Sequence, residues 1–307
     1  MKISFPFRRR RSRQMALFTL VATLVLGGGA LHRLMAQQDL KDVQIKVQHV
    51  AGTVYMLEGR GGNIGVSAGP DGLLMVDDQF APLAGKIRAA LASLHHGGLA
   101  FVLNTHHHGD HVGGNVEFGP EAPIIAHENV RKRLSTRQET PRGTVEPSPK
   151  EALPVITFED SVVLHFNDET IEMVHYPSGH TDGDSVVFFT GSNVVHMGDD
   201  FFAGRFPFVD LSAGGNVLGM TRDVQAVLDR IPADAKIIPG HGPLSTVKDL
   251  EAFHRMLMET TAIVSRRKEA GEDLEAIKKE GLPQEWDEWG SGFINTDRWL
   301  ETVYKSL

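Results

Sequence analysis

The chain has 307 residues, of which 41% are hydrophobic and 23% charged, an ordinary balance for a folded protein with ample apolar content for a core. Its net charge of −8 argues against a nucleic-acid partner, whose phosphates need a basic surface. The absence of cysteine removes disulfides, thiolate metal ligands, a Cys nucleophile and a lipid-modified Cys.

The first residues have the layout of an export signal. Arg8 to Arg11 and Arg13 form a basic block, Met15 to Leu26 is apolar, and small residues and Ala36 precede the polar Gln37-Gln38-Asp39. The apolar run is shorter than the ~20 residues of a spanning helix. Residues 1–38 are therefore read as a cleaved signal peptide in preference to a membrane anchor, and the protein as exported, periplasmic or secreted. A membrane partner follows only if this segment stays uncleaved.

Residues 43–248 read as one domain. Thr53 to Leu57 is β-rich, and the apolar runs on either side of Pro70-Asp71-Gly72 predict a hairpin. Ala81 to Leu94 has apolar residues near 3.6 spacing and predicts a helix. Leu99 to Leu103 and Pro123 to Ala126 read as strands, and Glu128 to Leu134 as a short helix. Arg137 to Pro154 holds several prolines and no clear period, and reads as an irregular flap near the site. Strand signals resume at Val155 to Phe158, Ser161 to Phe166, Thr170 to Tyr176, Ser185 to Phe189 and Asn193 to Met197. A helix over Val217 to Ile231 and a short strand at Lys236 to Pro239 follow. Residues 249–307 are read as a helical extension packed on the domain, with no internal repeat in the chain.

The chemistry is concentrated after the strand at Leu99. Asn104 to Asn115 carries His106, His108, Asp110 and His111 in the pattern H-x-H-x-D-H. An extended chain would put His106, His108 and Asp110 on one side. A turn at His111 would let Asp110 and His111 face a second ion beside the first. Imidazole and carboxylate bind zinc at about 2.0–2.2 Å. Further ligands are available at His180, Asp199 and His241, each beside glycine at the end of a β-rich run, where the backbone can turn tightly and approach an ion. His107 faces away from its neighbours and reads as a packing residue, and His196 as core or support. Asp77, Asp182 and Asp184 are candidates to accept the rear N–H of a ligating histidine. A Ser nucleophile is not supported, because Ser178 lies in no G-x-S-x-G elbow. Gly61-Gly62 lacks the G-K-[ST] ending of a phosphate loop.

From about Lys46 to Leu244, the H-x-H-x-D-H motif and the later G-H, G-D and G-H-G signals stand in an order that resembles the metallo-β-lactamase superfamily. The resemblance implies an α/β fold, a four-layer αβ/βα sandwich, here with a C-terminal helical extension. It implies that His106, His108 and His180 hold one zinc, that Asp110, His111 and His241 hold a second, and that Asp199 bridges the two. The carboxylate at Asp199 is similar to that of glyoxalase II, lactonases and related ester or thioester hydrolases. His196 to Asp210 and Gly290 to Ile294 resemble exported zinc hydrolases near the sulfur-oxidation and quinoprotein-associated members. The C-terminal helices do not resemble the substrate domain of glyoxalase II.

The activity so implied is hydrolysis of a β-lactam, lactone, ester or thioester in a small molecule by a hydroxide on two Zn2+ ions, iron or manganese being the other metals considered. Asp110 is assigned the proton transfer as the candidate catalytic residue. Two other readings compete: a mononuclear iron dioxygenase acting on persulfides, and a non-catalytic metal-binding accessory protein. Pocket walls are expected from Arg137–Pro154, Phe201 to Phe208, and Trp286, Trp289 and Phe293.

Overall fold

The computed structural model describes Met1, residues 40–140 and residues 143–307. The export segment read at residues 1–38 lies outside the described residues apart from Met1. Among the described residues, no helix is long and apolar enough to cross a membrane.

Residues 44–307 form one compact unit built on two sheets. The first holds β1 (Lys46–Ala51), β2 (Val54–Glu58), β3 (Ile64–Gly69), β4 (Gly72–Val76), β6 (Leu99–Asn104), β7 (Ile124–His127) and β10 (Ile156–Phe158), in the order β1-β2-β3-β4-β6-β7-β10. A two-residue strand, β5 (Gln79–Phe80), bridges to Val112 and Gly113. The second sheet runs β11 (Ser161–Phe166), β12 (Glu169–His175), β13 (Ser185–Phe189), β14 (Val194–His196), β15 (Lys236–Ile238) and β16 (Ser245–Thr246).

Alternation along the strands explains why the sheets stack. Leu74 and Val76 of β4 join Val54, Met56, Leu103 and Ile125 in a core shared with Ile171, Met173, Val187, Phe189 and Ile238 of the second sheet. Leu73 and Met75, on the opposite face of β4, are buried too. A strand buried on both faces reads as a continuous apolar run. Ile87 and Leu91 are buried on the helix Ala84–Leu94. Val186, Phe188, Val195 and Ile237 turn away from the shared core and meet Met220, Val224 and Val227 of the helix Val217–Arg230 and Leu250, Phe253 and Leu257 of the helix Val247–Glu269. The result is a four-layer sandwich.

The C-terminal helices are built into that same outer core. Ile277, Trp286, Ile294, Trp299, Leu300 and Val303 are buried in it. Asn216 and Asn295 cap the helices that follow them, each side-chain oxygen accepting backbone N–H groups of the first turn.

Two expectations need correction. Arg137 to Pro154 is not structureless, since β8 (Gln138–Thr140) and β9 (Gly143–Val145) pair as a small hairpin, followed by a 3-10 turn at Lys150–Ala152. Runs of three residues are too short to register as a period. The chain also does not stay extended past His108, because Gly109–Val112 is a helical turn with His108 at its N-cap.

Candidate metal centre

That helical turn sorts the histidine-rich segment into two sets. His106 and His108 leave the end of β6 with His180 and Asp199 nearby, their potential ligand atoms all within 4.8 Å of one another. Asp110 is carried round the turn, away from His106 and His108, and gathers with His111 and His241 within the same limit. All seven residues expected from the sequence meet in one place, at the ends of the strands.

Asp199 lies between the sets. Its Oδ2 is 3.5 Å from His180 Nε2 and 3.8 Å from His106 Nε2, whereas its Oδ1 is 3.0 Å from His111 Nε2 and 3.4 Å from His241 Nε2. His108 Nδ1 is 2.8 Å from His180 Nε2, and His241 Nε2 is 3.4 Å from both Asp110 Oδ2 and His111 Nε2. Four ligands placed about 2.0–2.1 Å from a tetrahedral ion would stand roughly 3.3 Å apart. The observed spacings bracket that value.

For four of the five rings a contact at the rear fixes which nitrogen faces inward. His106 Nδ1 donates to Thr105 Oγ1 at 3.0 Å, because that hydroxyl spends its own proton on Asp77 Oδ2 at 2.7 Å. His111 Nδ1 donates to the same Asp77 Oδ2 at 2.7 Å. His180 Nδ1 donates to the Phe208 carbonyl at 2.7 Å, and His108 Nε2 to Asp210 Oδ2 at 3.1 Å. With protons so placed, His106 Nε2, His108 Nδ1 and His180 Nε2 present lone pairs to one point. His106 Nε2 and Asp199 Oδ1 are buried with no hydrogen-bond partner in ordinary geometry. Buried polar atoms rarely stay unpartnered, so a divalent ion fits this donor set.

Small residues make room for it. A Cβ on Gly62 would lie 2.1 Å from His111 Cε1, and one on Gly240 2.1 Å from Asp199 Oδ1. Only glycine allows the backbone so close to the ligands.

The two sets differ in charge. Burial pushes His106 well below the usual imidazole range, helped by the neighbouring His111 and His180, and takes His180 down to about 4 against the pull of Asp199. His111 is buried and His241 partly so, but the carboxylates of Asp199, Asp77 and Asp110 overcome burial for His111, raising it well above its ordinary value. Asp199 and Asp110 raise His241 to about 9. Conversely, against the effect of burial, His111 and His241 hold Asp110 down to about 2, and with His180 they hold Asp199 well below the carboxylate range. The second set therefore calls for positive charge, supplied by protons or by a cation that displaces them.

Of the supporting carboxylates considered from sequence, Asp77 alone touches the cluster. It serves both sets, through Thr105 and directly through His111. Asp182 is taken by Arg133 in a two-point pair at 2.6 Å, and Asp184 by the backbone and hydroxyl of Thr181. Sequence reasoning missed Asp210, whose Oδ1 accepts from Ser212 N, Ser212 Oγ and Ala213 N, and whose N–H donates to the His180 carbonyl at 2.9 Å. No local motif marks it, because its role depends on a partner 102 residues away. His107 lies beside Asp210 and His108, with burial taking it down to about 2. His196 is fully buried and reaches the Asn63 carbonyl at 2.9 Å. Trp286 and Phe201 are core residues rather than pocket walls, and Trp289 packs on Phe253 and Trp286.

A sandwich of two sheets between helices, with a His/Asp cluster able to take metal along its strand ends, defines an αβ/βα fold with a candidate metal centre. Residues 50–244 match the family model of the metallo-β-lactamase superfamily. The chain belongs to that superfamily. It is 30% identical over 171 residues to a hydroxyacylglutathione hydrolase of Gloeobacter violaceus, covering 55% of this chain and 58% of that protein. A hydroxyacylglutathione hydrolase of Methylococcus capsulatus is 27% identical over 188 residues, covering 60% of this chain and 61% of its own. The chain thus spans about six-tenths of the length of these curated relatives. Among solved structures, a metallo-β-lactamase from Pontibacter korlensis superposes with a TM-score of 0.58 at 16% identity, over 70% of this chain and 99% of that one. The DIM-1 metallo-β-lactamase superposes at 0.59 with 16% identity, over 71% and 99%. At this identity the likeness speaks for the fold.

Proposed function

We propose that the protein is a di-zinc hydrolase that opens a carbonyl bond in a small molecule, and that His106, His108 and His180 form one zinc site and Asp110, His111 and His241 the other. The observation that carries this reading is the division of Asp199, one carboxylate oxygen facing each set. Two divalent ions supply an acidified water and polarisation of a carbonyl. The residues do the rest. Asp77, Asp210, Thr105 and the Phe208 carbonyl hold the imidazoles with their lone pairs inward. Asp110, whose side chain is 33% exposed, lies where solvent enters, and its Oδ2 is 3.4 Å from His241 Nε2. It is the carboxylate placed to hold a proton released at the reacting carbonyl.

A thioester, ester or lactone is favoured over a β-lactam. A carboxylate shared by both sets, with no cysteine in the chain, agrees with the relatives named hydroxyacylglutathione hydrolases. The Arg-rich block and apolar run at the N-terminus support an activity outside the cytoplasm.

The test joins metal analysis of the purified full chain to a hydrolysis screen with an S-acyl thiol, an acyl lactone and a chromogenic β-lactam. The expected result is about two zinc per chain and hydrolysis that stops on chelation and returns with zinc. Iron with oxygen uptake, or turnover unaffected by metal removal, would overturn the proposal.

A further inference from the structure

The C-terminal extension, outside the segment matched by the family model, reaches the mouth of the site. Phe206 N–H donates to the Trp289 carbonyl at 2.9 Å, and the Phe206 ring stacks on buried Trp299 with centroids 5.4 Å apart. The loop from 201 to 210 is thus gripped from behind by the extension. On its other side Phe208 faces the ligands, its ring 5.8 Å from those of both His108 and His180. Beyond it stands Phe293 of the extension, edge-on to Phe208 at 6.5 Å and 63% exposed. Arg298 lies over the Phe293 ring at 5.0 Å and donates from Nη1 to the Phe293 carbonyl at 3.5 Å.

Phe208 and Phe293 therefore form two steps of aromatic surface leading outward from the His108–His180 edge. Phenyl surface left in water and braced by a cation contributes little to the core, but it offers area to an apolar guest. The ring faces themselves offer no conventional hydrogen bond to a strongly hydrated group, which would lose water against them.

We infer that Phe208 and Phe293 form a subsite for an aryl or medium-length alkyl group next to the scissile carbonyl, so that the preferred substrates carry an apolar acyl portion. This inference rests on the proposed function for the position of the carbonyl, between the two ligand sets. Phe293 supplies the outer wall and Arg298 holds it in place.

Isothermal titration of the metal-loaded full chain with phenylacetate and with acetate separates the two ideas, because each probe brings the same carboxylate to the centre. The wild type is expected to bind phenylacetate about tenfold more tightly than acetate, the order of one aromatic contact. In Phe293→Ala the ratio is expected to fall to about threefold or less, and in Arg298→Ala to an intermediate value. Both residues are exposed, so an unchanged melting temperature is expected to show that each variant folds. No preference in the wild type, or the same preference in Phe293→Ala, would overturn the subsite. Hydrolysis of S-acetyl and S-phenylacetyl thioesters is read in parallel, with KM for the phenylacetyl compound expected to rise in Phe293→Ala. A binding preference lost in Phe293→Ala, with no turnover of any acyl compound by the wild type, would overturn the proposed hydrolase and support the subsite.

Discussion

The two halves of the candidate centre are built to different rules. His106 and His180 are nitrogen donors whose neutral form burial favours, and with His108 each is fixed from behind by an acceptor that leaves the inward lone pair free. Asp110, His111 and His241 mix carboxylate with imidazole, have their charged forms favoured by Asp199 and by one another, and are open to solvent at Asp110 and His241. The first half is ready for an ion at neutral pH, whereas the second must shed protons to take one. Loading the second half should therefore release more protons, and depend more steeply on pH, than loading the first.

Substitutions that touch both halves, one half or neither sharpen this contrast. Asp199→Ala should have the largest effect, because it removes an oxygen from each set. Hydrolysis is expected to fall by about a hundredfold to a thousandfold, the order seen when charge stabilisation at a reacting centre is lost, and metal analysis should find well under two ions per chain. Asp77→Ala comes next, since one buried carboxylate orients His111 directly and His106 through Thr105. Its metal affinity should drop about 10–100-fold in both halves, measured by competition with a chromophoric chelator.

Asp210 divides the halves. Three donors hold its Oδ1, so Asp210→Asn would keep its carbonyl oxygen there and turn its amide toward His108 Nε2. Two donors would then meet, and the ring would move its proton to the inward Nδ1. Asp210→Asn is expected to weaken the first ion alone by about 10–100-fold, and by more than Asp210→Ala, which imposes no tautomer. A capping role alone would give the reverse order. Nitrogen NMR of the imidazoles reports the tautomer without reference to activity.

The smallest effect lies away from the centre. His127 and His175 stack at 3.6 Å with planes 9° apart, and burial lowers both. A histidine depressed in the folded state contributes stability above its unfolded value near 6.5, and that stability is lost as pH falls toward the folded value. The melting temperature should thus fall between pH 7.5 and 5.5. The fall should be smaller in His127→Asn, which removes one ring and keeps an acceptor for Asn129 N. An equal fall in both proteins would clear the stack of this role.

The sequence exposed the ligands and the strands because both leave local marks. H-x-H-x-D-H follows a buried strand, and glycine flanks His180, Asp199 and His241. The supporting residues leave none. Asp77, Asp182 and Asp184 looked alike in sequence, and only tertiary placement gave Asp77 to His111 and Asp182 to Arg133. Asp210 was invisible because it acts across the fold. The four-residue helix at Gly109 overrode the extended alternation that would have put Asp110 beside His106, although the pairing of Asp110 with His111 was legible from their adjacency. In sequence Trp286, Trp289 and Phe293 present themselves as one wall, yet Trp286 fills the core, Trp289 packs on it, and Phe293 stands exposed beside Phe208.

Asp199 is proposed to join two metal positions. Anomalous diffraction from crystals of the zinc-loaded chain tests it most directly. Two peaks are expected, about 3.5–4 Å apart, the spacing of two-metal sites, with one Asp199 oxygen toward each. A single peak in the presence of excess zinc, or two peaks with Asp199 turned away from either, would contradict it.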